Sequence, residues 1–137
     1  MKQDSANYRS HCPINFVLET FGDKWTLLIV RDLMFKEKTS FRQFLKSEEG
    51  IATNILTDRL KRLEAHGIVE KTVDEANRSK LNYCLTDKGK DLMPIMLEIT
   101  AWSAKHDKLT NTPRPFRKTL AEDRDGMISA FMAELEQ

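Results

Sequence analysis

Between Ala52 and Leu85 the hydrophobic period changes from helical to alternating across a single glycine, and this switch restricts the fold more than any other feature. Ile55, Leu56, Leu60 and Leu63 recur at the spacing of one buried helix face over Thr53 to about Ala65. Thr53, Asn54, Thr57, Asp58, Lys61 and Arg62 fall on the opposite face. Gly67 stops the helix, because glycine enters the left-handed conformation without steric cost. Ile68 to Val73 and Lys80 to Leu85 then read as two strands, joined by the almost wholly polar stretch Asp74 to Ser79.

The segments on either side extend the pattern. Pro13 suits the first turn of a short helix carrying Phe16, Val17, Leu18 and Phe21, which Gly22 ends. Asp23 is placed to cap a second helix, Lys24 to about Met34, with Trp25, Leu28, Ile29 and Leu33 inward. After the polar turn Lys36 to Thr39, Ser40 caps a short helix holding Phe41, Phe44 and Leu45, and Ser47 to Gly50 is a turn. Beyond the hairpin, Thr86 caps a helix to about Trp102, with Leu92, Met96 (or Ile95) and Ile99 as its stripe. Pro94 falls inside that helix and is expected to bend it. Asn111 to Pro115 reads as a linker, and Phe116 to Leu135 as one last helix with Leu120, Met127, Ile128, Phe131 and Leu135 on one face.

This order predicts a mainly α chain with a small β-hairpin wing (α+β), a winged helix-turn-helix with flanking dimerisation helices. Residues 1–11 are expected to be a flexible N-terminal arm, 12–102 the winged domain with its dimerisation helices, and 103–137 a C-terminal linker and helical extension.

Composition excludes several classes. Of 137 residues, 40% are hydrophobic and 31% charged, and the longest apolar run, Leu27 to Val30, falls far short of a bilayer span. The polar start, Met1 to Ser10, lacks the apolar core of a secretion signal, so the expected location is cytoplasmic. Cys12 and Cys84 are too few for a zinc site, and His11, His66 and His106 are scattered. With five glycines and no phosphate loop, paired catalytic carboxylates or nucleophile-base pair, neither a cofactor nor an enzyme is expected.

The net charge of +1 conceals a local bias: Lys36 to Lys90 holds twelve Lys/Arg against nine Asp/Glu. In a helix-turn-helix the second helix of the pair enters the major groove of duplex DNA, and a hairpin wing lies along the neighbouring backbone. Thr53, Asn54 and Thr57 lie near the start of that helix, where base contacts occur; Asn can pair with adenine N6/N7 and Thr can touch a thymine methyl. Asp58 shares this face, Arg59, Lys61 and Arg62 suit phosphates or, for an outward-facing Arg, guanine, and Arg42, Arg78 and Lys80 extend the basic surface. Asp74 and Glu75 repel phosphate, which leaves the second half of the wing as its working end. The alternative is a winged-helix module used for protein–protein contact without specific DNA binding.

The strings CPINFVLETFGDKW, LIVRDL, SFRQFLKSEEGIATNILTDRLKRLEAHGIVEK and NYCLTDKGKDLMPIMLEITAW resemble the HxlR-type branch of winged-helix bacterial regulators, related to the MarR-like regulators. The likeness covers residues ~12–102. It implies a homodimeric transcription factor, by default a repressor on a palindromic operator, that answers a small-molecule or electrophile effector. Three departures stand out. Ala52 replaces the family's frequent Ser cap, a loss of about 1 kcal/mol; the wing lacks stiffening prolines; and residues 103–137 extend past the shared core.

Cys12 occupies the position of the family's typical cysteine, which several relatives use as a redox sensor. A thiol at a helix start has its thiolate favoured by the dipole, although a buried, inert cysteine is the competing reading. Cys84, between Tyr83 and Leu85 in a strand, is expected to pack inward. Phe16, Phe21, Met96, Ile99 and Trp102 are the expected dimer interface, with Phe131 and Leu135 as further candidates. Met93, Met96, Met127 and Trp102 read as plain core or, alternatively, as the lining of a ligand pocket.

Overall fold

A computed structural model describes residues 7–136. The elements are α1 (Pro13–Phe21), α2 (Thr26–Phe35), α3 (Phe41–Leu45), α4 (Thr53–Ala65), β1 (Val69–Val73), β2 (Leu81–Leu85), α5 (Asp87–Lys90), α6 (Met93–His106), α7 (Arg114–Glu122) and α8 (Arg124–Leu135). They form two compact units, one up to Gly89 and one from Lys90. No helix of the described residues is long and apolar enough to cross a membrane.

In the first unit the core gathers around α4. Leu56, Leu60 and Leu63 are buried, as are Ile29, Val30 and Met34 of α2 and Phe44 of α3. Burying side chains of this size contributes roughly 1.5–3 kcal/mol each. Two details differ from the expected packing. The inward face of α2 passes through Thr26, Ile29, Val30 and Met34, while Trp25, Leu28 and Leu33 are half-buried. The helix also begins at Thr26, because the Asp23 carboxylate accepts the Trp25 N–H at 3.1 Å and the Thr26 hydroxyl at 2.5 Å.

Local chemistry fixes the turns. Ser40 and Gln43 form a capping box at α3: the Ser40 hydroxyl takes the Gln43 N–H, and the Gln43 side chain takes the Ser40 and Thr39 N–H groups. Gly67, at φ +72°, terminates α4 in the left-handed region. The chain then enters an antiparallel hairpin in register Val69↔Leu85 to Val73↔Leu81. Thr86 at its far end donates to the Gly67 carbonyl and accepts the Gly89 N–H, and Lys88 Nζ donates to the His66 carbonyl at 2.7 Å. Gly89 is required by closeness: a Cβ there would collide with the Ile68 carbonyl oxygen. The Thr-Asp-Lys-Gly run (86–89) is thus a clasp closing the wing's base onto the end of α4.

A buried carboxylate ties α2 to the segment after α3. Asp32 is 2% exposed and accepts from Arg31 Nε and Nη2 and from the Ser47 hydroxyl, with Lys38 Nζ at 3.7 Å. Arg31 also forks onto Glu49 at 2.6 and 2.9 Å, which holds the Glu49 carboxyl at about 2.

After the hairpin the expected bent helix is two helices. Thr86 opens the single turn α5, the chain turns at Asp91–Leu92, and Pro94 sits in the first turn of α6, where its missing N–H costs nothing. The last helix is also split. Asp123 leaves helical geometry at φ −145°, and its carboxylate caps α8 through the Gly126 N–H at 3.1 Å. Leu120 and Met127 are buried, and the Phe116 and Phe131 rings meet at 5.8 Å. On α6 the buried residues are Met93, Met96 and Leu97, whereas Ile99, expected in the inward stripe, is 44% exposed.

Asp23 carries the fold's most accessible test. Its Oδ2 receives Arg59 Nε of α4 at 2.7 Å, and Arg62 Nη1 lies 3.7 Å from Oδ1. Partial burial works to raise its carboxyl, but the hydrogen bonds from Thr26, Arg59 and the Trp25 N–H outweigh this and hold it at about 2, against an ordinary 3.8. The folded state therefore binds this proton less readily than the unfolded chain. The contribution, about 1 kcal/mol after solvent screening, is present above pH 3.8 and is lost as pH falls toward 2. Asp23→Asn is expected to lower stability by about 1–2 kcal/mol in urea unfolding at neutral pH. It should also flatten part of the acid-side decline between pH 4 and 2; an unchanged acid profile would contradict this role.

Candidate nucleic-acid interface

Helix α4 presents the polar face expected of it. Thr53, Asn54, Thr57, Asp58 and Lys61 are exposed. The Thr57 hydroxyl donates to the Thr53 carbonyl at 2.9 Å, which points its methyl away from that bond. The helix starts at Thr53 with Ala52 as N-cap, and no side chain caps it, so its first N–H groups face outward unclaimed by a cap. Lys61 makes no ion pair among the described residues, whereas Asp58 pairs with Arg59 at 2.5 Å. Arg59 and Arg62 lean toward Asp23, and the Arg62 side chain remains 36% exposed.

The wing tip is held by its own acids. One Asp74 oxygen accepts the Ala76 and Asn77 N–H groups at 2.8 and 3.0 Å, and the other accepts Asn82 Nδ2 at 2.9 Å. The Asn82 and backbone hydrogen bonds keep the Asp74 carboxyl below its usual range. The Asn77 side chain in turn accepts from Ser79. The turn thus replaces the stiffening of prolines with an aspartate and an asparagine, and Asp74 is turned to structural use.

At its base the wing joins α3. Tyr83 N–H donates to the Thr39 carbonyl at 2.7 Å, and Ser40 pairs with Asn82 as an isolated bridge. Arg42, Ser40, Phe41, Asn77, Ser79, Lys80, Leu81 and Tyr83 border one groove of about 530 Å³. Arg42 of α3 and Lys80 of the wing therefore share a groove, a juxtaposition that sequence spacing does not reveal. Arg78, in the turn beside it, is exposed and makes no ion pair among the described residues.

Cys12 is the N-cap residue of α1 and is exposed. The N–H groups of Asn15 and Ile14 lower its thiol pKa, the direction that favours thiolate. The preceding chain is tied down at Arg9, whose N–H and guanidinium reach Glu19 and Asn15; residues 1–6 lie outside the described residues. Cys84 does not pack inward as expected. It is exposed opposite Glu70, with Sγ 3.7 Å from Oε1, because strand alternation gives the buried position to Leu85.

The apolar surfaces separate into outward and inward sets. On α1, Ile14, Phe16, Val17 and Leu18 are exposed, while Phe21 is half-buried and Thr20 is buried, sharing a hydrogen bond with His66 at 3.1 Å. On α6, Ile95, Ile99 and Trp102 are exposed, Trp102 at 69%, with its ring 4.9 Å from that of His106. Met96 is 8% exposed, so it lies on the inward side and Ile95 takes the outward position. Met93 and Met127 are likewise buried, on the opposite footing from Trp102.

Sequence reasoning missed the carboxylate pins Asp23–Arg59 and Asp32–Arg31–Glu49. The only hint was that Asp23 and Asp32 stand beside strongly apolar helices, where an acid needs partners.

The comparisons agree with this geometry. Residues 20–111 match the model of the HxlR-like helix-turn-helix family. The HTH-type transcriptional regulator sll1512 of Synechocystis is 35% identical over 63% of this chain and 63% of its own length. The redox regulator HypR in its oxidised form superposes with a TM-score of 0.63 at 32% identity, over 72% of this chain and 100% of that one. The reduced form of the transcriptional regulator YodB of Bacillus subtilis does so with a TM-score of 0.59 at 28% identity, over 74% and 100%. YodB has also been solved quinone-bound and diamide-treated. These neighbours are transcriptional regulators and not enzymes, and the chain belongs to the HxlR-like helix-turn-helix family.

Proposed function

We propose that this chain is a cytoplasmic, sequence-specific DNA-binding regulator, by default a repressor, that binds a palindromic operator as a homodimer and answers thiol-reactive signals through Cys12. The observation that carries the reading is the outer face of α4. Three short polar side chains stand at its open end, with Lys61, which makes no ion pair among the described residues, one turn on, and Arg42, Arg78 and Lys80 are further cations of the same unit. In the major groove Asn54 reads a base edge, Thr53 and Thr57 make apolar or hydroxyl contacts, and Lys61 and Arg62 meet phosphates, with Asp58 orienting Arg59. Asn54→Ala is expected to cost about 1–3 kcal/mol on the preferred duplex and to relax preference at one base pair. Lys61→Ala and Arg78→Ala should weaken all duplexes alike and lower the salt slope by about one each. Binding that ignores sequence and is indifferent to Asn54 would favour the protein–protein reading instead.

The homodimer rests on the exposed apolar faces: Phe16 with its neighbours on α1, edged by half-buried Phe21, and Ile95, Ile99 and Trp102 on α6. Exposed apolar side chains on each of these faces favour association, and a twofold axis matches a palindrome. Ile99→Glu with Trp102→Glu should convert a dimer to a monomer in light scattering at micromolar concentration; a monomeric wild type would refute the dimer.

For Cys12, the support is its exposure at the start of α1, its lowered thiol pKa, and the relatives described in oxidised, quinone-bound and diamide-treated states. Because Cys84 is exposed as well, the test needs both variants. Diamide should change DNA affinity of wild type and Cys84→Ser but not of Cys12→Ser. The reverse pattern would move the sensor to the wing.

A further inference from the structure

Helix α7 carries its charges against its own dipole. Arg114, Arg117 and Lys118 occupy its first half and Glu122 its last position, with no acid in the first turn and no base in the last. The aligned peptide dipoles make a helix N-terminus positive, so acids are favoured there and cations at the far end. No side chain caps the start, where Pro113 is the N-cap residue. Among the described residues neither Arg114, Arg117 nor Lys118 makes an ion pair, whereas Arg124 on α8 is answered by Glu98 at 3.1 Å. A local rule broken with no compensation inside the chain points to function.

The three side chains are spaced to act together. Positions i, i+3 and i+4 share one helix face, and Arg114, Arg117 and Lys118 line an open groove of about 480 Å³. Arg117, half-buried, also borders the α6–α7 cleft that Lys105 lines, so the cationic surface reaches α6. From Lys105 to Lys118 the chain holds five Lys/Arg against one acid, Asp107, although its net charge is only +1. The Asp107 carboxylate is engaged by the Leu109 N–H at 3.0 Å.

The lining says what kind of anion fits. Among the described residues no apolar side chain borders the groove, so it offers nothing to the body of a small organic ligand. The apolar residues of α7 turn elsewhere: Leu120 is buried and the Phe116 ring meets Phe131 on α8. A membrane-surface helix would need those side chains outward beside its cations. A row of cations on an open surface instead suits a regularly charged polyanion, and duplex DNA carries one negative charge per about 1.7 Å of its axis. We infer that the basic face of α7, led by Arg114 and Lys118, is a second, sequence-independent contact for the phosphate backbone of duplex DNA. It rests on the DNA-binding reading above and adds a surface beyond the family-matched segment, which ends at residue 111.

The test titrates the full chain into a fluorescein-labelled duplex of about 40 base pairs and arbitrary sequence, at about 50 to 200 mM NaCl. Arg114→Gln combined with Lys118→Gln, both at exposed positions, is expected to weaken binding about tenfold or more at about 100 mM salt and to lower the salt slope by about 1.8 per bound chain. Exchanging the two cations, Arg114→Lys with Lys118→Arg, should keep affinity and slope, because charge and not shape is required. Arg124→Gln removes the same formal charge as Arg114→Gln, but one already answered by Glu98, and should change affinity by less than about twofold. The inference fails if the double Gln variant binds as wild type does, if Arg124→Gln weakens binding as much as Arg114→Gln, or if the exchanged pair behaves like the Gln pair. It also fails if phosphatidylserine vesicles, and not the duplex, lose affinity in the double Gln variant. Lys61→Ala separates the two claims: weakened binding there with none in the α7 pair overturns this contact alone, and a wild-type chain that binds no duplex overturns both.

Discussion

A single carboxylate orders the DNA-facing part of this protein. Asp23 stands in the short connection between α1 and α2, and its two oxygens gather a backbone N–H, a hydroxyl and the guanidinium of Arg59. Because Arg59 belongs to α4, the start of α2 and the middle of α4 are joined by a charge-assisted bond of specific geometry in addition to apolar packing. Hydrophobic contact alone allows a helix to slide or rotate; a carboxylate with defined donors does not. The consequence reaches the proposed function, since the rotation of α4 decides whether the face carrying Asn54 and Asp58 is the one offered to a groove.

The wing follows the same economy. Its tip is built from Asp74 and Asn77, and its base is closed by Thr86, Lys88 and Gly89 against the end of α4. The connection leaving α4 therefore gives its His66 and Gly67 carbonyls to Lys88 and Thr86 beyond β2, which ties the end of α4 to the segment that leaves the hairpin. Acids near a phosphate-binding surface look unfavourable in charge arithmetic. Asp74, however, spends its oxygens on three N–H groups and stabilises the turn that presents Arg78 and Lys80.

Much of this was legible in the sequence, and the boundary of legibility has physical causes. Helix α4 was readable to the residue, since its apolar spacing is unbroken and Gly67 ends it. The Ser40 cap and the two strands of the hairpin followed from local residue chemistry. The failures came where a local rule admits two outcomes. Pro94 is equally suited to bending a helix and to starting one, and only tertiary packing decides. Asp123 interrupts a periodic pattern because its side chain competes for the backbone, which periodicity cannot register. Cys84 and Leu85 alternate, and choosing which points inward requires the register against β1. The long-range pairs Asp23–Arg59 and Arg42–Lys80 were invisible, since nothing in sequence distance links them.

Family membership and geometry together support one central claim, that α4 and the wing read a twofold-symmetric duplex sequence. Its most direct measurement is selection of bound duplexes from a random-sequence pool by the purified full chain under reducing conditions. The account predicts enrichment of a palindrome whose half-sites lie about one helical turn apart. A pool that remains random after repeated rounds, with binding that depends on salt alone, would contradict it.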